Sequence, residues 1–265
     1  MPDPKDNVEE LKAATAADVH RAVREEGEDE RRRPTSALFW SGLAAGITIH
    51  ASLLAEASLL LHGGPDTGEL VVGLGYPIGF LLVILGRMQF FTESTITAML
   101  PLVHRPSRVS LYRTLRLWGV VLAANLFGTL LAAAMTASGL IGHDGLSEAA
   151  ITISAAFAEH APLDIFINAI PAGFLIAVLA WSLPNAREQA WLVIFSVTYL
   201  IGIAGFSHSI VGSSEAFLLA IAGGVSWPTA IFGLIVPAVT GNLIGGAGIF
   251  ALLVHAQVRD EVEES

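Results

Sequence analysis

The sequence predicts an all-α membrane protein with six transmembrane helices, built as an inverted 3+3 repeat in which helices 2 and 5 are broken. Three observations predict it. Charged residues make up only 14% of the 265 against 53% apolar. The apolar residues gather into four long runs and two interrupted ones, and one motif recurs 117 residues later. A soluble domain usually carries about 25% charged residues, so this chain lacks the polar covering water would demand, and its partner is the lipid bilayer. Cysteine is absent, which excludes disulfides, thiolate metal sites, iron–sulfur clusters and cysteine nucleophiles.

Residues 1–35 hold seven of the fourteen Lys and Arg and ten of the twenty-four Asp and Glu, with no long apolar run. They read as a solvated cytoplasmic tail without the basic-then-apolar pattern of a signal peptide. A sparse Val8, Leu11, Val19, Val23 stripe suits either a helix over about 6–27 or a disordered tail. Residues 36–256 form the membrane domain, with repeat halves at 36–138 and 153–256, and 257–265 an acidic C-terminal tail. A spanning helix needs about 20 mostly apolar residues, which 36–62, 109–137, 163–183 and 228–254 supply in single runs. The other two crossings read LVVGLGYPIGFLLVIL, GRMQFFTES, TITAMLPLV and AWLVIFSVTYLIGIAGF, SHSIVGSSE, AFLLAIAGG, each apolar, then polar, then apolar.

Six crossings put both termini on one side, and cation placement makes that side the cytoplasm of a plasma (inner) membrane. Thirteen cations fall on that face, and HGGPDTGE, SGLIGHDGLSEAA and the stretch before Trp227 carry none; the exception is Arg87, in the first interruption. Asn125-Leu126-Phe127-Gly128 recurs as Asn242-Leu243-Ile244-Gly245, and adding 117 to 86–94 gives 203–211, the second interruption; the same offset carries span 1 onto span 4. Three spans per half make the repeat inverted, the plan of many channels and transporters. Irregular backbone survives in hydrocarbon only when buried in protein or lining a wet path, so two matched breaks predict an internal pathway.

Intramembrane ionisable groups are costly and mark such paths. His208 lies in the second break between Ser207 and Ser209 and after Phe206, and Thr92 lies in the first, after Phe90 and Phe91. A hydroxyl facing an imidazole between aromatic rings would form a dry constriction with few polar contacts. Arg87, Gln89 and Glu93 read either as charges of a wet vestibule or, for Arg87 and Glu93, as an ion pair. His50 and Glu56 lie on different faces of span 1, with no role beyond packing assigned. Glu159, His160 and Asp164 read as an entrance lip or a solvated loop. Neither HExxH nor a nucleophile elbow is present, so no enzyme activity is expected; nor is any cofactor or nucleic-acid partner.

Gly205-Phe206-Ser207-His208-Ser209, Phe90-Phe91-Thr92 and Gly241-Asn242-Leu243-Ile244-Gly245-Gly246 resemble the motifs of the formate/nitrite transporter family over about 36–256, and FFTES with FSHSIVGSSE resembles its YfdC-like branch. The resemblance implies a homopentamer of aquaporin-like protomers, each with its own pore for a small molecule or small ion, with protons as a further candidate. It makes His208 the central histidine, Thr92 the first-break threonine, and Phe91 with Tyr76 and Ile201 part of two apolar constrictions. In the family a lysine ahead of the fourth helix draws the anion in. That position falls near Ala156 and no lysine follows Lys12, while Ser207, Gly212 and Ala172 replace a family glutamate and two asparagines. The resemblance therefore carries the fold and the pathway but not the attraction for an anion. The competing reading is a non-conducting membrane scaffold or sensor that acts through the N-terminal tail.

Overall fold

The computed structural model describes residues 14–142 and 145–263, all of whose regular elements are helical. Helix α1 covers Ala16–Arg32. Thr15 accepts from the Asp18 amide while the Asp18 carboxylate accepts from the Thr15 amide, a reciprocal cap that satisfies otherwise orphaned donors. Arg31 and Arg32 occupy its last turn, where cations suit the helix dipole. The segment is thus a helix rather than a wholly solvated tail: Val19, Val23 and Gly27 are buried. The two valines pack with Ile96, Leu100, Ala177 and Val254 from three other helices. Val8 and Leu11 lie outside the described residues.

Pro34 separates α1 from the first long apolar helix, which bends at His50 into α2 (Thr35–Ile49) and α3 (Ala51–Gly63). A short turn of helix at Glu69–Val72 leads to α4 (Pro77–Leu85). The chain then loses helical form at 86–90 and resumes as α5 (Phe91–His104). Helix α6 (Arg108–Ala137) runs unbroken.

Helix α7 (Leu146–Ala158) begins inside SGLIGHDGLSEAA, a stretch that the sequence places between two crossings, and is too short to span. Its buried Leu146, Ala149, Ala150 and Ser154 follow helical spacing, and it packs against α3. Helices α8 (Pro162–Ser182) and α9 (Ala190–Ile203) follow. The second loss of helix covers 204–208, and α10 (Ser209–Ala222) begins at Ser209. Residues Thr229–Asp260 form the last long helix, with two π-helical stretches, Thr229–Ile235 and Ile244–Phe250.

Four helices are long and apolar enough to cross a membrane: Thr35–Gly63, Arg108–Ala137, Pro162–Asn185 and Thr229–Asp260. They coincide with the four uninterrupted runs. The first pair and the second pair each approach closely at a glycine, since a β-carbon at Gly46 would overlap the Asn125 carbonyl and one at Gly173 that of Asn242. Both breaks are therefore cradled by a helix pair in near-backbone contact. Each is narrower than the sequence suggested, because Thr92 and Glu93 already belong to the first turn of α5.

Candidate functional site

Each break is fastened by one buried asparagine. Asn125 accepts from the Phe91 amide at 2.9 Å and donates to the carbonyls of Gln89 at 3.0 Å and Gly42 at 2.8 Å. Asn242 accepts from the Ser209 amide at 2.8 Å and donates to the carbonyls of Ser207 at 3.0 Å and Ala169 at 2.7 Å. A side-chain amide offers one acceptor and two donors, so each satisfies both edges of a gap in the helical ladder. By these bonds Gly42 corresponds to Ala169, a spacing of 127 and not 117. The 117-residue offset therefore misplaces span 1, because the first half needs a longer link, with the Glu69–Val72 turn, to reach its break.

Between these clamps the structure brings Thr92 and His208 together. Thr92 Oγ1 lies 2.9 Å from His208 Nε2, and both side chains are buried. His208 also caps α10, its Nδ1 accepting from the Val211 amide at 3.3 Å. With Nδ1 an acceptor, the neutral ring holds its proton on Nε2 and donates it to Thr92.

Phe90 stacks on the imidazole at 5.4 Å and Phe80 meets it edge-on at 4.9 Å, with Tyr76 a further 5.4 Å along from Phe80. The result is an aromatic column with one polar contact at its centre. Phe91 and Ile201 are buried in the same apolar cluster, against which Phe206 is partly buried. The Ser207 amide donates to the Asn168 carbonyl at 3.2 Å, and Ser209 Oγ is buried without a partner among the described residues.

Arg87 does not pair with Glu93. Its guanidinium donates to Glu26 of α1 at 2.6 Å. A backbone φ of 54° turns the chain there, a left-handed conformation rare outside glycine. Arg87 thereby lies on the face covered by α1, which removes the one exception in the cation distribution. Glu30 of α1 accepts from Gln89 Nε2 at 2.7 Å and Thr97 Oγ1 at 2.6 Å. Burial pushes its carboxyl above the usual range, and these two bonds oppose the shift. Glu26, Glu30, Arg87, Glu93 and Arg187 line a cavity of about 820 Å³ between α1 and the first break.

His50, given no role by the sequence, is buried and bonded to Thr136 Oγ1 at 2.7 Å and to Ser214. Glu159, His160 and Asp164 are exposed. Sequence reasoning missed Phe80, which sits inside a continuous apolar run with nothing to single it out. It also missed Glu26 and Glu30, indistinguishable among the acids of the tail, and the buried Glu215. The two asparagines were visible as a motif but not as clamps. No group of three or more His, Asp or Glu among the described residues could hold a metal ion.

The formate/nitrite transporter family profile matches residues 17–256. An inner membrane protein of Escherichia coli (strain K12), YfdC, is 38% identical over 246 residues, covering 92% of this chain and 79% of that protein. A formate-nitrite transporter of Plasmodium knowlesi (strain H) is 25% identical over 228 residues, covering 80% and 72% of the two chains. Two solved structures share the fold. A pentameric formate channel with formate bound superposes with a TM-score of 0.72 at 21% identity, covering 85% of this chain and 97% of the channel. A second, described as an ion channel of the same family, superposes at 0.77 and 16% identity, covering 91% and 98%.

Proposed function

Because the chain belongs to the formate/nitrite transporter family, whose members are channels and transporters, we propose that each subunit carries one pore for a small solute through the column centred on His208 and Thr92. The observation that carries this reading is the Thr92–His208 contact at 2.9 Å between two broken helices, flanked by Phe80 and Phe90. An apolar constriction rejects charge, since an ion without its water shell pays several kcal/mol or more in a medium of low dielectric. The solute therefore crosses the rings in a neutral form, and the imidazole and hydroxyl supply its polar contacts there.

On this reading the half-helix pairs α4/α5 and α9/α10 each make one crossing, the total is six, and the halves are an inverted repeat. Both termini face the cytoplasm of the inner membrane, and five copies assemble into a homopentamer. The cavity beneath α1 forms the inner vestibule. That Glu26 and Glu30 line this cavity ties the N-terminal helix to the transport path and supports conduction over scaffolding through a free tail.

The test is flux through proteoliposomes holding the full chain. His208→Asn keeps an acceptor for the Val211 amide at a helix-cap position that favours asparagine, whereas His208→Phe removes both polar contacts. Flux or its pH dependence between pH 5 and 8 is expected to change in both variants while the oligomer stays intact. Unchanged transport in both would leave His208 a packing residue.

A further inference from the structure

Two acidic side chains play no part in the column's chemistry as described. Glu56 on α3 and Glu215 on α10 are 92% and 91% buried. Among the described residues neither carboxylate has a hydrogen-bond donor or a cationic side chain against it. They lie within electrostatic reach of each other and of the Tyr76 phenol. A β-carbon at Gly75, one residue before Tyr76, would press on the Glu56 backbone, so the two strands of chain are in direct contact. The pair therefore flanks the Tyr76 end of the aromatic column, whereas Arg87 and α1 lie beyond the far end of α4.

The sequence offers these carboxylates no counter-charge. No Lys or Arg occurs in 34–86, 117–186 or 188–258, and these ranges supply every segment near Tyr76. Two like charges taken out of water without a donor are costly, and a proton or a positively charged ligand between them lowers the cost. Two carboxylates without a third oxygen or nitrogen ligand make a poor cage for a metal ion, which takes more protein ligands. They suit a cation that brings its own N–H donors.

We propose that Glu56 and Glu215 form a binding site for a small protonated amine, ammonium or methylammonium, at the outer mouth, so that the solute of this pore is a weak base. The inference rests on the pore reading above. It also supplies the neutral form the rings require. An N–H bond of the cation breaks as an O–H bond forms on one carboxylate, leaving a neutral amine to enter the column and a carboxylic acid that returns its proton to water at the outer mouth.

Proteoliposomes holding the full chain are loaded with methylammonium or with formate, and efflux of each is measured against empty vesicles. In parallel the thermal midpoint of the detergent-solubilised protein is compared in methylammonium chloride and in sodium chloride. The wild type is expected to carry methylammonium in preference to formate and to be stabilised by methylammonium. In Glu56→Gln and Glu215→Gln, which keep the side-chain size, methylammonium flux and the methylammonium affinity read from the concentration dependence of the midpoint are expected to fall about tenfold, the loss of one charge-assisted hydrogen bond; midpoints in sodium chloride no lower than that of the wild type verify folding, since each variant removes an unpaired buried charge.

Formate flux without methylammonium flux overturns this inference and leaves the pore reading standing. Methylammonium flux that both glutamine variants retain also overturns it. A thermal shift lost in the variants, with no flux of either solute, supports the site and sinks the pore. Absence of both flux and shift removes both.

Discussion

Asn125 and Asn242 each hold three backbone groups with one side-chain amide. Asn125→Ala would leave the Phe91 amide and the carbonyls of Gln89 and Gly42 without their partner, and Asn242→Ala would do the same to Ser209, Ser207 and Ala169. Each buried polar group left unsatisfied costs about 1–3 kcal/mol. Both variants are expected to lower the thermal unfolding midpoint by several degrees and to reduce flux, whereas an exposed polar change such as Glu159→Gln should leave both within error. Thermal unfolding in detergent checks the first outcome and proteoliposome flux the second. A clamp variant with wild-type stability would show that the breaks hold themselves.

Why the role of these asparagines was not legible follows from the same bonds. The sequence presents a tetrapeptide on an uninterrupted helix, while the groups it satisfies belong to a different segment 34 residues away in the case of Phe91. Periodicity reports which face a residue occupies, not which gap that face will meet. His208 and Thr92 were legible because a polar residue in a lipid-facing composition has few explanations. Phe80 was not, because an aromatic among Leu, Ile and Val carries no contrast.

At the scale of the element, α1 is the informative case. Its polar composition favoured solvent, yet Val19 and Val23 bury against α5, α8 and the last helix, and Gly27 sits where a β-carbon would overlap the Thr97 carbonyl. His20 is buried at the same contact, with Arg24 on its own helix, His104 on α5 and His255 on the last helix as charged or titratable neighbours. Burial, then His255, Arg24 and His104, lower its pKa to about 4. Released from the contact, a histidine titrates near 6.5.

The undocked helix therefore binds the His20 proton first, so the His20 contribution to docking weakens as pH falls from about 6.5 to about 4, while the raised Glu30 carboxyl acts in the opposite sense, and the difference between wild type and His20→Met isolates the histidine. Hydrogen-exchange protection of α1, corrected for the intrinsic pH dependence of exchange, should drop through this window in the wild type. In His20→Met the drop should shrink, and in Gly27→Leu protection should be low at every pH. Equal protection of the wild type at pH 5 and 7.5 would count against it.

For the whole molecule, the argument turns on charge and on which segments share a face. The four long helices were legible from hydropathy alone, because a run of about 20 apolar residues has one solvent in which it is stable. The short α7 escaped that logic, since 13 residues with a polar start satisfy no length rule, and its place is set by the α3 surface it covers. Arg87 looked misplaced only while its break was treated as mid-membrane; beside Glu26 it joins the other cations.

A six-crossing arrangement then makes a prediction for every exposed loop. The absence of cysteine makes it simple to test, because any introduced thiol is the sole reporter. Glu69→Cys, Glu159→Cys and Ser226→Cys change exposed residues on the cation-free side, and a membrane-impermeant maleimide should label them in intact cells. Arg113→Cys and Arg187→Cys change exposed residues on the opposite side and should label only after lysis. Labelling of Arg187→Cys in intact cells would move the second half of the chain across the membrane. The two breaks would then enter from the same side, and the meeting of Thr92 with His208 could not enclose a route from one face to the other.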